Sequence, residues 1–191
     1  MATARNTSRF GLKRLAWGLI VALGCLLAGI PLFQKFPLLL VYNASPSIPK
    51  GFYRVRNVQS ISIGDLVVAR LPKHIQALAK ERGYLPEGVP PIKPVAAGPG
   101  DWICHEGGWL YINRNVPTHV PKADSKGRGM PQWKACRRMA EGEYFLLLPH
   151  VEMSFDSRYF GPVRHADIVG KATPFLVFEE SIGPSTKGLF E

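Results

Sequence analysis

The first fourteen residues contain no Asp or Glu, while they carry Arg5, Arg9, Lys13 and Arg14. From Leu15 to Phe33 there is no charge of either sign for 19 residues. Cysteine is also scarce: Cys25 lies in that apolar run, and Cys104 and Cys136 lie far downstream. No Cys-x-x-Cys occurs, which argues against a structural zinc site. No Gly-x-Ser-x-Gly is present, so a nucleophile elbow is excluded. Internal repeats, helix-turn-helix spacing and zinc-finger spacing are absent too. The whole chain carries a formal charge of +10. Such a balance points to anionic partners, lipid or nucleic acid. The basic residues are scattered, however, and only the N-terminal group is concentrated, so we expect no nucleic-acid partner.

What is present begins with that apolar run. As a helix, 19 residues span about 28 Å, close to the roughly 30 Å hydrocarbon core of a bilayer. A cleaved signal has an apolar region of 7–15 residues, so the run reads as an anchor. Basic residues on its N-terminal side place that end in the cytoplasm and the remainder across the membrane. The sequence thus divides into a cytoplasmic basic tail (1–14), a transmembrane anchor or uncleaved signal (15–35), an exported domain (36–180) and a flexible tail (181–191). Fourteen residues separate Phe33 from Ser47, at most about 46 Å of chain, so Ser47 can lie near the bilayer surface.

The exported part reads as mainly β. Candidate strands are Phe52–Val58, Leu66–Leu71, Ile92–Ala96, Glu143–Leu148 and Ile168–Phe178, with a first strand or dipping segment in Phe36–Tyr42. Trp102–Cys104 and Trp109–Ile112 flank Gly107-Gly108 as a hairpin. His74–Arg82 has one apolar helical face and stops at Gly83. Thr118–Arg138 is basic and without pattern, and is expected to be a loop-rich insertion (about 105–140).

Three clusters could carry chemistry. Ser45-Pro46-Ser47-Ile48-Pro49 sets two hydroxyls between prolines that enforce extended backbone. A serine hydroxyl is a weak nucleophile and needs a base. His74, His105, His119, His150 and His165 sit in no recognised triad motif and read as surface residues. The other base is Lys93, in Pro91-Ile92-Lys93-Pro94-Val95. If that strand packs inward, burial lowers the amine from about 10.4 to the 7–8 that base catalysis needs. A surface lysine in a proline-rich loop is the alternative. The third cluster is Ser154-Phe155-Asp156-Ser157-Arg158-Tyr159-Phe160-Gly161. Asp156 and Arg158 either form an ordinary surface pair or brace a site in which Ser154 orients the lysine amine.

In this order the clusters resemble a signal peptidase of the serine–lysine type. Ser45-Pro46-Ser47-Ile48-Pro49 resembles its serine box. Ile92-Lys93-Pro94-Val95-Ala96-Ala97-Gly98-Pro99-Gly100-Asp101 resembles its lysine box. Asp156-Ser157-Arg158-Tyr159-Phe160-Gly161 resembles its last box. Asn43-x-Ser45-x-Ser47-x-Pro49-x-Gly51-Phe52-Tyr53 is similar to the conjugative-transfer (TraF-type) branch. Ala79-Lys80-Glu81-Arg82-Gly83-Tyr84-Leu85 is similar as well. Leu148-Pro149-His150 stands where ordinary signal peptidases carry Gly-Asp-Asn, and Pro94 where the family commonly has Arg.

The resemblance implies a signal-peptidase-like β catalytic core after one transmembrane helix, with no metal or organic cofactor. It implies Ser47 as nucleophile, Lys93 as general base, and the Ser47 N–H and Ser45 hydroxyl as the oxyanion site. Ser154 would orient Lys93, with Asp156 and Arg158 in support. The substrate would be an exported precursor, such as the pilin of a conjugative system, cleaved or cyclised. The protein would sit in the bacterial inner membrane with its catalytic domain in the periplasm. An oxidising compartment favours a Cys104–Cys136 disulfide; two buried free thiols are the alternative. Two other functions stay open: a general type I signal peptidase, and a non-catalytic, membrane-tethered module that binds an envelope or pilus partner through its basic surface.

Overall fold

The computed structural model describes residues 16–25, 40–115 and 117–178. Residues 16–25 are helical (α1) and exposed. Among the described residues no helix is long and apolar enough to cross a membrane. The rest of the expected anchor, the basic tail 1–14 and the tail 181–191 lie outside the described residues. The chain divides into two units, Met1–Pro37 and Leu38–Glu191.

The second unit is mainly β. A seven-stranded antiparallel sheet has the order β1-β2-β11-β3-β4-β9-β10. Its strands are β1 (Leu40–Asn43), β2 (Lys50–Arg56), β3 (Leu66–Ala69), β4 (Ile92–Ala97), β9 (Glu143–Leu146), β10 (Val163–Arg164) and β11 (Ile168–Phe178). A four-stranded sheet, β7-β6-β5-β8, is built from β5 (Trp102–Glu106), β6 (Trp109–Ile112), β7 (Thr118–His119) and β8 (Cys136–Arg138). Helix α2 (Lys73–Arg82) buries Ile75 and Ala79 and ends in left-handed Gly83. A short helix, α3, covers Ser157–Phe160.

The first sheet curls. Val41, Tyr53, Val55, Val68, Ile92 and Ala172, from five of its strands, pack into one cluster with Ile48. Three register shifts loosen the ladder: two in β11, at Ile168/Gly170 and Pro174/Leu176, and one between β4 and β9. Such irregularities raise local twist. Gly51 makes the closest crossing: at φ +144 a Cβ would strike the Leu176 carbonyl and Val177 Cα. Only glycine fits there. The curl lets the β1–β2 turn approach β4 although two strands, β11 and β3, stand between them.

One expectation needs correction and one needs detail. The stretch 105–140 is rich in loops, as expected, but it also supplies β7, β8 and most of the hairpin. It buries Val120 and Met139 in the core beside Phe145 and Phe155, with Trp133 packed against them. Its pattern is faint because the strands are two and three residues long. The strand read as Glu143–Leu148 ends at Leu146. Extending the register Val95↔Leu146 places Leu147 opposite Pro94. The Leu147 N–H reaches the Pro94 carbonyl at 3.1 Å. Proline has no N–H to return, so the ladder stops and the chain leaves the sheet toward Ser154.

Candidate active site

Ser45 and Ser47 sit in the turn between β1 and β2. Ile48, 2% exposed, anchors this turn in the core. Asn43 threads it. The Ser45 N–H donates to Asn43 Oδ1 (3.2 Å), an Asx turn. The Asn43 amide donates to the carbonyls of Ser45 (2.8 Å), Ile48 (3.1 Å) and Pro49 (3.2 Å). The Tyr53 hydroxyl donates to the Pro49 carbonyl (2.8 Å). Burial pushes that hydroxyl up to about 12, so it stays a donor at neutral pH.

Lys93 lies on β4, opposite Val67 of β3. Its side chain turns into the protein and is 3% exposed. Nζ lies 2.7 Å from Ser47 Oγ and 2.9 Å from Ser154 Oγ. Burial pushes the amine down to about 8; Asp156 opposes this and Arg158 reinforces it. The alternative of a surface lysine is thereby excluded. Ser45 Oγ is 2.9 Å from Ser47 Oγ, and the Ser47 N–H faces Ser45 Oγ at 3.4 Å, too long to be firmly engaged. Of the two serines, Lys93 contacts Ser47.

Ser154 is set by the Ser154–Phe160 turn. Asp156 and Arg158 are both fully buried, so the reading of an ordinary surface pair does not hold. Arg158 pairs bidentately with Asp156, Nε to Oδ1 at 2.8 Å and Nη2 to Oδ2 at 2.9 Å. Its remaining donor capacity goes to the carbonyls of Val151 (2.8 Å), Ser154 (3.2 Å) and His119 (3.2 Å). Asp156 also caps α3 by accepting the Arg158 N–H. Ser157 Oγ accepts the Leu146 N–H (3.0 Å), tying the turn to β9.

The structure therefore brings together Ser47, Lys93, Ser45, Ser154, Asp156 and Arg158. The histidines lie elsewhere: His119 pairs with Glu152 and His105 with the Trp133 carbonyl. Cys104 and Cys136 are cross-strand neighbours on β5 and β8 and are disulfide-bonded. Among the described residues no three His, Cys, Asp or Glu side chains cluster closely enough to hold a metal ion. A groove of about 480 Å³ is lined by Ser45, Pro46 and Lys93 together with Tyr84, Leu85 and Pro90.

Chemically, a dry amine near 8 bonded to a hydroxyl can accept that hydroxyl's proton. Sequence reading gave Asn43 a place in a motif but no role; an Asn two residues before a Ser-Pro was the available signal. Asn43→Ala is expected to lower kcat about tenfold or more with little change in KM, because misplacing a nucleophile slows chemistry without emptying the groove. Steady-state peptide kinetics test this.

Comparison with known proteins assigns the chain to a family. The family model described as "Signal peptidase, peptidase S26" matches residues 12–177. The plasmid transfer protein TraF of Escherichia coli is 31% identical over 146 residues, which cover 71% of this chain and 82% of that protein. A probable conjugal transfer protein TraF of Sinorhizobium fredii is 35% identical over 149 residues, 71% of this chain and 76% of its own. A solved signal peptidase I from Enterococcus faecalis is 22% identical with a TM-score of 0.35, covering 61% of this chain and all of its own. The family match runs through the serine turn, Lys93 and the Ser154–Arg158 turn alike, and on that match and those relatives the chain belongs to the signal peptidase family, peptidase S26, as a serine peptidase akin to the TraF conjugal transfer proteins.

Proposed function

We propose that this protein is a membrane-anchored endopeptidase with a Ser47/Lys93 dyad, which processes an exported precursor. The observation that carries the reading is the buried Lys93 Nζ at 2.7 Å from Ser47 Oγ. Neutral Lys93 takes the Ser47 proton as Oγ attacks the scissile carbonyl. The oxyanion that forms is held by the Ser47 N–H and the Ser45 hydroxyl. Lys93, fixed by Ser154, then hands the proton to the leaving amine. The acyl-enzyme is released by water, or by a substrate amine if the product is cyclic. No metal or cofactor is needed for any of these steps.

The substrate we assign is a pilin precursor of a conjugative system. Support comes from the relatives, whose names place them in plasmid and conjugal transfer. The groove can receive an extended peptide as an added strand. We place the protein in the bacterial inner membrane, single-pass, with the domain on the periplasmic side. The charge-free run supports this, as do Phe175 and Phe178, exposed on β11, and Leu40 and Tyr42 on β1.

Co-expression with candidate pilin precursors, followed by mass spectrometry, tests the proposal. Wild type is expected to yield a shortened or cyclised product, and Ser47→Ala the intact precursor. Intact precursor with both proteins, alongside cleavage of other exported proteins, would instead indicate a general type I signal peptidase. Cleavage by Ser47→Ala would end the dyad reading.

A further inference from the structure

The turn at 122–130 belongs to the basic stretch that the chemistry above leaves unused. It is closed on itself by the Asp124 N–H to the Arg128 carbonyl (2.9 Å) and the Met130 N–H to the Lys122 carbonyl (2.8 Å). Its centre is Asp124, whose side chain is 5% exposed. That carboxylate accepts the N–H groups of Lys126 and Arg128, each at 2.9 Å, and Arg128 Nε at 2.7 Å. It also accepts the hydroxyl of Tyr84, 40 residues away in sequence. Burial pushes the Asp124 carboxyl up, but the bonds from Tyr84, Arg128 and Lys126 outweigh it and hold it well below the usual carboxylate range.

Tyr84 is the other half of the arrangement. It follows the left-handed Gly83 that ends α2 and lines the same groove as Ser45 and Lys93. Arg128 stacks over its ring at 5.7 Å, and Arg82 donates to the Gly129 carbonyl at 2.7 Å. On another side its ring meets Phe155 at 5.1 Å, next to Ser154 in sequence. Tyr84 thus stands between the turn, the groove and the element that holds the Lys93 amine. None of the hydrogen bonds of Asp124 reaches Ser47, Lys93 or Ser154.

We propose that the 122–130 turn is a latch for the substrate groove, with Asp124 as a positioning residue that fixes Tyr84 as the groove wall; this rests on the peptidase reading above. A charge-assisted bond to a tyrosine hydroxyl holds the ring in one rotamer, so the groove stays shaped in the absence of peptide. The latch therefore governs peptide affinity and selectivity, not the acylation chemistry.

The test uses one probe, an alanine-rich decapeptide, in two forms. A quenched-fluorescence version measures kcat and KM. A fluorescein-labelled version measures Kd on a Ser47→Ala background. Asp124→Asn and Tyr84→Phe are each expected to raise KM and Kd about tenfold while kcat changes less than about twofold. Combining them should add little, because both remove the same bond. Tyr84→Ala, which deletes the wall, should weaken binding further. Unchanged KM and Kd, a loss confined to kcat, or fully additive effects would overturn the latch. No cleavage of the probe by wild type would sink the peptidase reading, and the Kd series of the Asp124 and Tyr84 variants would still decide the latch.

Discussion

Lys93→Met is expected to abolish cleavage and, at pH 7, to make the protein more stable. The two effects share one cause. The amine is buried, and burial lowers it from about 10.5 to about 8. At pH 7 most molecules therefore still hold the proton in a site that disfavours it. The cost is about 3 kcal/mol, taking 1.36 kcal/mol per pH unit over that difference. Methionine fills similar space with no charge to desolvate. It also removes the general base, worth roughly 10²–10⁴ in rate.

The pH dependence fixes the sign. Between about 8 and 10.5 the unfolded chain binds the Lys93 proton and the folded chain does not, so wild-type stability rises with pH across that window. Below 8 the cost is fully present, and above 10.5 it is gone. Denaturation of the two proteins should thus show the largest advantage for Lys93→Met at pH 7 and a gap that closes toward pH 10.5. Wild-type kcat/KM should fall about tenfold per unit as pH drops below 8 and level off above it. A wild-type profile flat from pH 6 to 9, or a Lys93→Met protein no more stable than wild type at any pH, would mean that the amine does not bear this burden.

Much of this site was legible because its chemistry is written locally. The paired prolines around Ser45 and Ser47, and the apolar neighbours of Lys93, state their conformation within five residues. The strand Ile168–Phe178 was bounded as the structure has it, because apolar and β-branched residues dominate it on either side of Lys171. What was not legible depends on distant partners. Nothing near Asp124 says that its carboxylate meets Tyr84. Nothing near Asp156 says that it is fully buried. The early end of β9 follows from a proline on a different strand. What the insertion gives the core was hidden for the same reason: Val120 and Met139 are buried, and Trp133 partly buried, by contacts from the first sheet and the Ser154–Phe160 turn, not by a periodic pattern of their own.

The second large effect is expected from Arg158→Met, which should lower stability by about 3–5 kcal/mol. Arg158 is wholly enclosed, and its removal leaves the Asp156 carboxylate buried without its hydrogen-bonded ion-pair partner. It also strips donors from the Val151 and Ser154 carbonyls, which carry the loop that presents Ser154 Oγ to Lys93. For a chain of this size the melting temperature should drop by about 10 °C. Asp156→Asn added to Arg158→Met should recover part of the loss, because the orphaned charge disappears even though the carbonyls stay unpaired. The enzyme kinetics supply an independent sign. Arg158 helps to lower the Lys93 amine and Asp156 raises it. Whatever Arg158→Met protein remains folded should therefore show its acid activity limb, where Lys93 takes up its proton, moved to higher pH, and the double variant should move it back. If the single variant melts like wild type and keeps its limb near 8, the buried pair neither holds the Ser154 turn nor tunes the base.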